Sequence, residues 1–165
     1  MLFIRQLTPA DSLEELTHLL HRAYAQLGAM GLNYTAVNQA TDTTLRRLAG
    51  GCCFVAEWHG QLAGTVLAKP PEHSSECEYF ARPDVATLRQ FGVEPQLQGR
   101  GIGQALVSTC EAWARENGFR ELALDTAEPA RHLIQFNSRL GFAPVRSVQW
   151  SGKVYRSVVM SKALQ

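Results

Sequence analysis

The chain has 165 residues, 45% of them hydrophobic and 19% charged, with a formal net charge of +1 at pH 7. That is enough for one domain with a real core, expected to span residues 1–165. The near-neutral balance gives no electrostatic case for nucleic acid or a membrane surface as partner, and no apolar run is long enough to span a bilayer.

Met1–Arg5 places its apolar residues ahead of its charge and then alternates, unlike a secretory signal, so a cytoplasmic protein is expected. Alternation over Leu2–Leu7 predicts a first strand. Ser12 followed by Glu15 is a capping pair, and Leu13, Leu16, Leu20, Ala23 and Leu27 then trace one helical face that Gly28 should end. Met30–Ala40 is irregular. Asp42 is the expected cap of a shorter helix through Leu45 and Leu48, closed by Gly50-Gly51. Cys53–Trp58 and Leu62–Ala68, joined by His59-Gly60, read as a hairpin. Pro70–Pro83 is polar and turn-rich and reads as a surface loop, and Val85–Val93 as the next strand.

After Val93, Pro95 forbids a ladder bond and easy helix entry, and Gly99, Gly101 and Gly103 alternate. A helical face of Ile102, Ala105, Leu106, Thr109, Cys110 and Trp113 begins at once and stops at Gly118. Strand, glycine loop and helix N-terminus leave backbone N–H groups unpaired at the positive end of a helix dipole, a natural seat for a phosphate. A P-loop would need Gly-Lys-Ser/Thr where Ile102-Gly103-Gln104 stands. A dinucleotide fingerprint fails too, because its third glycine would fall on Gln104 or on Leu106. Beyond the helix, Glu121–Asp125 reads as a short buried parallel strand. Pro129 opens a helix to Leu140 stopped by Gly141, and Val145–Trp150 with Val154–Met160 form a last hairpin about Ser151-Gly152.

The run Val93-x-Pro95, Gln98-x-x-Gly101-x-Gly103 resembles the acyl-CoA loop of the GCN5-related N-acetyltransferases, and Phe136-Asn137-Ser138-Arg139-Leu140-Gly141-Phe142 looks like that family's closing motif. The element order agrees along essentially the whole chain. The resemblance implies an α/β three-layer sandwich whose mixed, mostly antiparallel central sheet is flanked by helices. It implies acetyl-CoA as cosubstrate, no metal, and a small-molecule or peptide amine as acceptor, with no nucleic acid or membrane partner and a homodimer left open. By position, the main chain of Phe91, Gly92 and Val93 would pair with pantetheine as another strand. The amides of Gly99, Arg100, Gly101, Ile102, Gly103 and Gln104 would hold the pyrophosphate, with Gln98 bracing the loop.

Two residues depart from the family. Its usual tyrosine acid, four residues before the closing glycine, is Asn137 here, and an asparagine seven residues further back is Ala130. Asn137 shares the apolar face of Leu133 and Leu140, so it needs either a backbone partner or a cofactor contact. Glu57, Glu78, Glu94 and Glu128 are candidate bases by type only, and Tyr34 and Tyr155 candidates to shape the acceptor pocket. Cys52, Cys53, Cys77 and Cys110 form no disulfide framework or nucleophile setting, and His73 with Cys77 lacks a second ligand pair. The expected reaction is direct attack of the amine on the thioester. A non-catalytic acyl-CoA-binding module and a transferase for longer acyl groups are the rivals.

Overall fold

The strands are β1 (Leu2–Gln6), β2 (Cys52–Trp58), β3 (Gln61–Lys69), β4 (Val85–Val93), β5 (Glu121–Ala127), β6 (Ala143–Val148) and β7 (Ser157–Ala163). The helices are α1 (Leu13–Ala29), α2 (Thr41–Leu48), α3 (Ile102–Glu116) and α4 (Arg131–Arg139). In the computed structural model, which describes residues 1–165, the strands form one sheet in the order β1-β2-β3-β4-β5-β7-β6. Every neighbouring pair is antiparallel except β4 with β5. Strand alternation sends Ala56, Val66 and Leu88 to one face, where they meet Ile102, Leu106 and Cys110 of α3 and, at the edge, Ile134 of α4. Val55 and Leu67 point the other way, against Leu16 of α1. The result is the expected layering of helices, mixed sheet and helices.

Local chemistry explains most boundaries. The Ser12 hydroxyl accepts from the Glu15 N–H at 3.1 Å, so α1 starts as its cap predicts. It runs past Gly28, however, because nothing forces a stop until Gly31, which takes φ +83°. Asp42 does not cap α2: Ala40 holds that position, and Asp42 lies in the first turn, favourable to the helix dipole. His59 and Gly60 both take positive φ, 49° and 81°, as a two-residue hairpin turn with the right twist requires. α4 begins at Arg131 rather than Pro129, with Ala130 as its cap residue.

Two expectations are corrected. Residues 70–83 are not simply a surface loop. Glu78–Ala81 form a 3₁₀ turn that buries Tyr79 and Phe80 with Val85, Ala123 and Val159. The last hairpin does not turn tightly at Ser151-Gly152. Instead β6 and β7 leave residues 149–156 as a connection, in which the Gln149 amide donates to the carbonyls of Lys153 and Tyr155 at 3.0 Å each. β7 is drawn C-terminally because it pairs along all of β5, from Ala127 opposite Ser157 to Glu121 opposite Ala163.

One irregularity shapes everything that follows. β4 and β5 pair only from Val85 with Glu121 to Thr87 with Ala123, then both continue without each other. On the other edge of β4, Leu67 faces Arg89 and Thr65 faces Gly92, so β4 carries one residue more than β3 over that span. That is a β-bulge, which bends a strand, and Gln90 within it takes φ +47°. The Gln90 side-chain oxygen accepts from the Gln39 amide at 2.7 Å. The same amide nitrogen donates to the Thr44 hydroxyl at 2.7 Å, and Thr44 in turn bonds Thr17 at 2.7 Å. This buried polar chain ties the bulge to α1 and α2. It also explains why the inward residue of α2 is Thr44, while Leu45 is 55% exposed.

Candidate active site

The parted strands open a cavity of about 1060 Å³, lined along one side by Leu88–Val93 of β4 and along the other by Leu124, Asp125 and Thr126 of β5. At one end stand Gln98, Gly99, Gly101, Ile102, Gly103 and Gln104, with Asn137 facing them from α4. Gly92 and Val93 are paired on their β3 side, Phe91 lies in the bulge, and none of the three meets a strand on the cavity side. Of the residues expected to hold a cofactor, only Arg100 stays outside the lining. Its guanidinium stands over the Trp58 ring, 5.6 Å from the centroid. Gln98 is exposed, and its side chain bonds no protein group.

The start of α3 leaves its first amides without a side-chain partner. Gly101 caps α3 in the left-handed region at φ +82°, no side chain bonds the first-turn amides, and no acidic residue lies in that turn. Gly103 packs against α4 so closely that a Cβ would stand 3.1 Å from the Phe136 ring and 3.4 Å from that of Phe91. Asn137 is 5% exposed, and its side-chain amide makes no hydrogen bond within the protein. The backbone-bonded alternative is therefore not what the structure contains. A polar group sunk this deep toward a cavity calls for a ligand or water partner.

The other end of the cavity is aromatic and charged. Tyr34 stacks on Tyr155 with centroids 5.1 Å apart and tilts against Tyr24 at 5.6 Å. The Tyr34 hydroxyl accepts the Ala127 N–H at 2.8 Å, which fixes that ring on β5. Burial pushes all three phenols above their ordinary range, so they remain donors at neutral pH. Asp125 accepts from Arg89 at 3.1 Å through one oxygen and from the Trp150 indole at 2.8 Å through the other.

A strand-edge platform ending in an uncapped helix terminus is what a chain with an acyl-CoA site needs, and the sequence profile of the acetyltransferase (GNAT) family matches residues 13–142. The chain belongs to the GNAT acetyltransferase family. Among similar proteins, the aminoglycoside N(6')-acetyltransferase type 1 of Stenotrophomonas maltophilia is 48% identical over 125 residues, 74% of each chain. Human N-acetyltransferase 8B is 32% identical over 93 residues, 56% of this chain and 39% of that protein, so the chain spans under half of that relative's length. A GNAT acetyltransferase of Elizabethkingia anophelis, solved with acetyl-CoA bound, superposes with a TM-score of 0.71 at 13% identity, covering 99% of this chain and 98% of that one.

Within this GNAT fold the four glutamates singled out by type lie away from the cavity lining. Glu57 is paired with Arg5 at 2.6 Å and Glu94 with Arg22 at 2.8 Å, while Glu78 is 96% exposed. The carboxylates that do line it are Glu72, Glu76 and Asp125. Asp125, expected as the last residue of its strand, lies two residues inside β5, which its pairing with β7 extends to Ala127. Glu72 and Glu76 lie in the stretch read as plain loop, and no spacing signal marks them. All four cysteines are free and none lines the cavity, and burial raises the Cys53 thiol to about 11 and pushes Cys110 still further up. No helix is long and apolar enough to cross a membrane.

Proposed function

We propose that the chain is an acetyl-CoA-dependent N-acetyltransferase that acetylates a primary amine by direct attack within a ternary complex. The observation that carries this reading is one cavity joining the unpaired edge of β4, the uncapped start of α3 and the unbonded amide of Asn137. Main-chain N–H and C=O groups at Phe91–Val93 would receive the pantetheine amides as a strand would. The first amides of α3 would take the pyrophosphate. The amine nitrogen then attacks the thioester carbon, the carbon–sulfur bond breaks, CoA departs as thiolate, and the extra proton passes from the nitrogen through water to the solvent or to the CoA sulfur, giving the amide and free CoA. Tyr24, Tyr34 and Tyr155 make a wall suited to an amine-bearing acceptor, since ring faces attract cations. The aminoglycoside-modifying relative puts small polyamines among the acceptors to try. The test is thiol release from acetyl-CoA over an amine panel, paired with thermal stabilisation by acetyl-CoA. Stabilisation without turnover on any amine would favour a binding module, and faster turnover with longer acyl-CoAs would favour the other rival.

Direct attack needs no acetyl-cysteine. Changing Cys52, Cys53, Cys77 and Cys110 singly to Ser or Ala is expected to leave turnover within a few-fold, since none lines the cavity and burial raises the thiols of Cys52, Cys53 and Cys110. Radiolabel retained on the protein after acetyl-CoA alone, and lost in one cysteine variant, would defeat this mechanism.

Asn137 stands where the family's tyrosine acid is expected, and an amide cannot act as an acid. A simple thiol has a pKa of roughly 8.5, so thiolate departs tolerably near neutral pH without one. The reading assigns the Asn137 amide a hydrogen bond to the departing sulfur or to a water beside it. Asn137→Ala is expected to lower kcat about tenfold with little change in KM, near the roughly 1–1.5 kcal/mol of one hydrogen bond. An unchanged kcat in the folded variant would make the residue structural. Tyr155 is then a poor replacement acid, because burial raises its phenol.

A further inference from the structure

Three Arg and Lys side chains line the cavity without a carboxylate of their own, and of these Arg139 is exposed while Arg47 and Lys153 are half-buried. Arg47 of α2 and Lys153 of the 149–156 connection both line it, and neither takes part in any of the protein's ion pairs. Their protein partners are neutral. Arg47 donates one N–H to the Gln39 side-chain oxygen at 2.8 Å, and Lys153 donates to the Asn33 carbonyl at 2.8 Å and the Thr35 hydroxyl at 3.0 Å. Gln39 is 5% exposed and held by Thr44 and Gln90, so the Arg47 guanidinium is aimed by a rigid polar chain rather than left to wander. Four of its five donors remain for something else.

The cavity's carboxylates do not bond them, and only the Asp125 charge acts favourably on both from a distance. Both oxygens of Asp125 are committed to Arg89 and Trp150, Glu72 pairs with Lys69, and Glu76 bonds Ser151 at the exposed rim. Burial and mutual repulsion push the Lys153 ammonium below its ordinary value, and burial with the nearby Arg89 charge does the same to Arg47. Half-buried charges without a bonded counter-charge are costly, and a site retains them where a ligand supplies the partner.

Resting on the acetyltransferase reading, we propose that the acceptor carries an oxyanion, carboxylate or phosphate, as well as its amine, and that Arg47 and Lys153 receive it. The planar fork of Arg47 offers two parallel N–H donors to such a group, while Lys153 adds a point charge from the facing loop. Tyr24, Tyr34 and Tyr155 line the same cavity, which continues to the glycine loop, so an acceptor held by its oxyanion can extend its amine toward the thioester. A polycation such as an aminoglycoside would meet two positive charges without a bonded carboxylate here, so this acceptor class differs from that named for the Stenotrophomonas relative.

The test offers the purified full chain matched primary amines: ω-amino acids against their own amides, and ethanolamine phosphate against ethanolamine. Acetyl-CoA turnover is followed by thiol release. Acids or phosphates should exceed their neutral counterparts by about tenfold or more in kcat/KM, the range of a hydrogen-bonded charge. Whichever anion leads identifies the source. Arg47→Ala should collapse that ratio toward one, Lys153→Ala should reduce it, and Arg47→Lys should keep part of it, which guards against an Ala variant that folds badly. Equal rates for acid and amide, a better rate with kanamycin, or a preference that survives Arg47→Ala would overturn the inference. If no amine is acetylated, the enzymatic reading fails separately. Melting shifts with the same pairs in the presence of CoA then decide the anion site, and equal or absent shifts overturn it.

Discussion

Gly103→Val is expected to remove stabilisation by acetyl-CoA and to cut turnover by at least about a hundredfold while the fold persists. A ligand at a hundred times its dissociation constant adds about 2.7 kcal/mol, which in a domain of this size raises the melting temperature by roughly 5–10 °C. That shift is the quantity lost. The reason lies in the first turn of α3, where the unbonded amides that follow Gly101 need an anion close to the main chain. A Cβ at Gly103 already stands 3.1 Å from the Phe136 ring and 3.4 Å from that of Phe91, before the two methyls of valine are added. The rings must yield, and the yielding space is the cavity. Losing two hydrogen bonds to a charged group, at roughly 1.5–3 kcal/mol each, accounts for about a hundredfold or more. Gly101→Val acts differently: nothing crowds its Cβ, but φ +82° is a poor conformation for a β-branched residue, so the helix start itself should distort. Full acetyl-CoA stabilisation in a folded Gly103→Val protein would remove the glycine loop from the binding site.

The sequence carries this half of the site openly because the constraint is local. Pro95, the alternate glycines and the helical period behind them each act within a few residues, and so does the His59-Gly60 turn between β2 and β3. The proposed acceptor half was illegible for the opposite reason. Arg47, Gln39 and Gln90 become a unit only when α2 folds over the bulge in β4, and a helix that buries Thr44 through hydrogen bonds leaves no apolar stripe to read. The slip in the last hairpin has the same origin. Ser151-Gly152 has turn chemistry, but the long pairing of β7 with β5 sets the register and Gln149 pins the connection. Asn137 lies between the two cases: its helical face was visible in the sequence, but its lack of a protein partner was not.

Phe80→Ala is expected to cost about 3–5 kcal/mol of folding stability and to lower the melting temperature by roughly 6–20 °C. Polar neighbours hide this residue in the sequence, yet it is 1% exposed and closes a second small core with Cys77, Val85, Ala123 and Val159. A truncated ring there leaves a void that the 3₁₀ turn cannot easily collapse, because the Phe80 carbonyl also accepts the Glu72 N–H at 3.1 Å and anchors the segment. The effect should reach the acceptor end of the cavity. The Arg89 guanidinium lies 4.6 Å from the Phe80 centroid and 5.6 Å from that of Trp150, and the two rings stack at 6.0 Å. Arg89 and Trp150 both bond Asp125, so removing the ring loosens both groups that hold this carboxylate. At temperatures where the variant is still folded, KM for the amine should therefore rise while acetyl-CoA stabilisation persists, because the glycine loop is built from other elements. Calorimetry and amine kinetics on Phe80→Ala and the milder Phe80→Leu check this, and a loss under about 1 kcal/mol would mean that the turn merely covers the sheet.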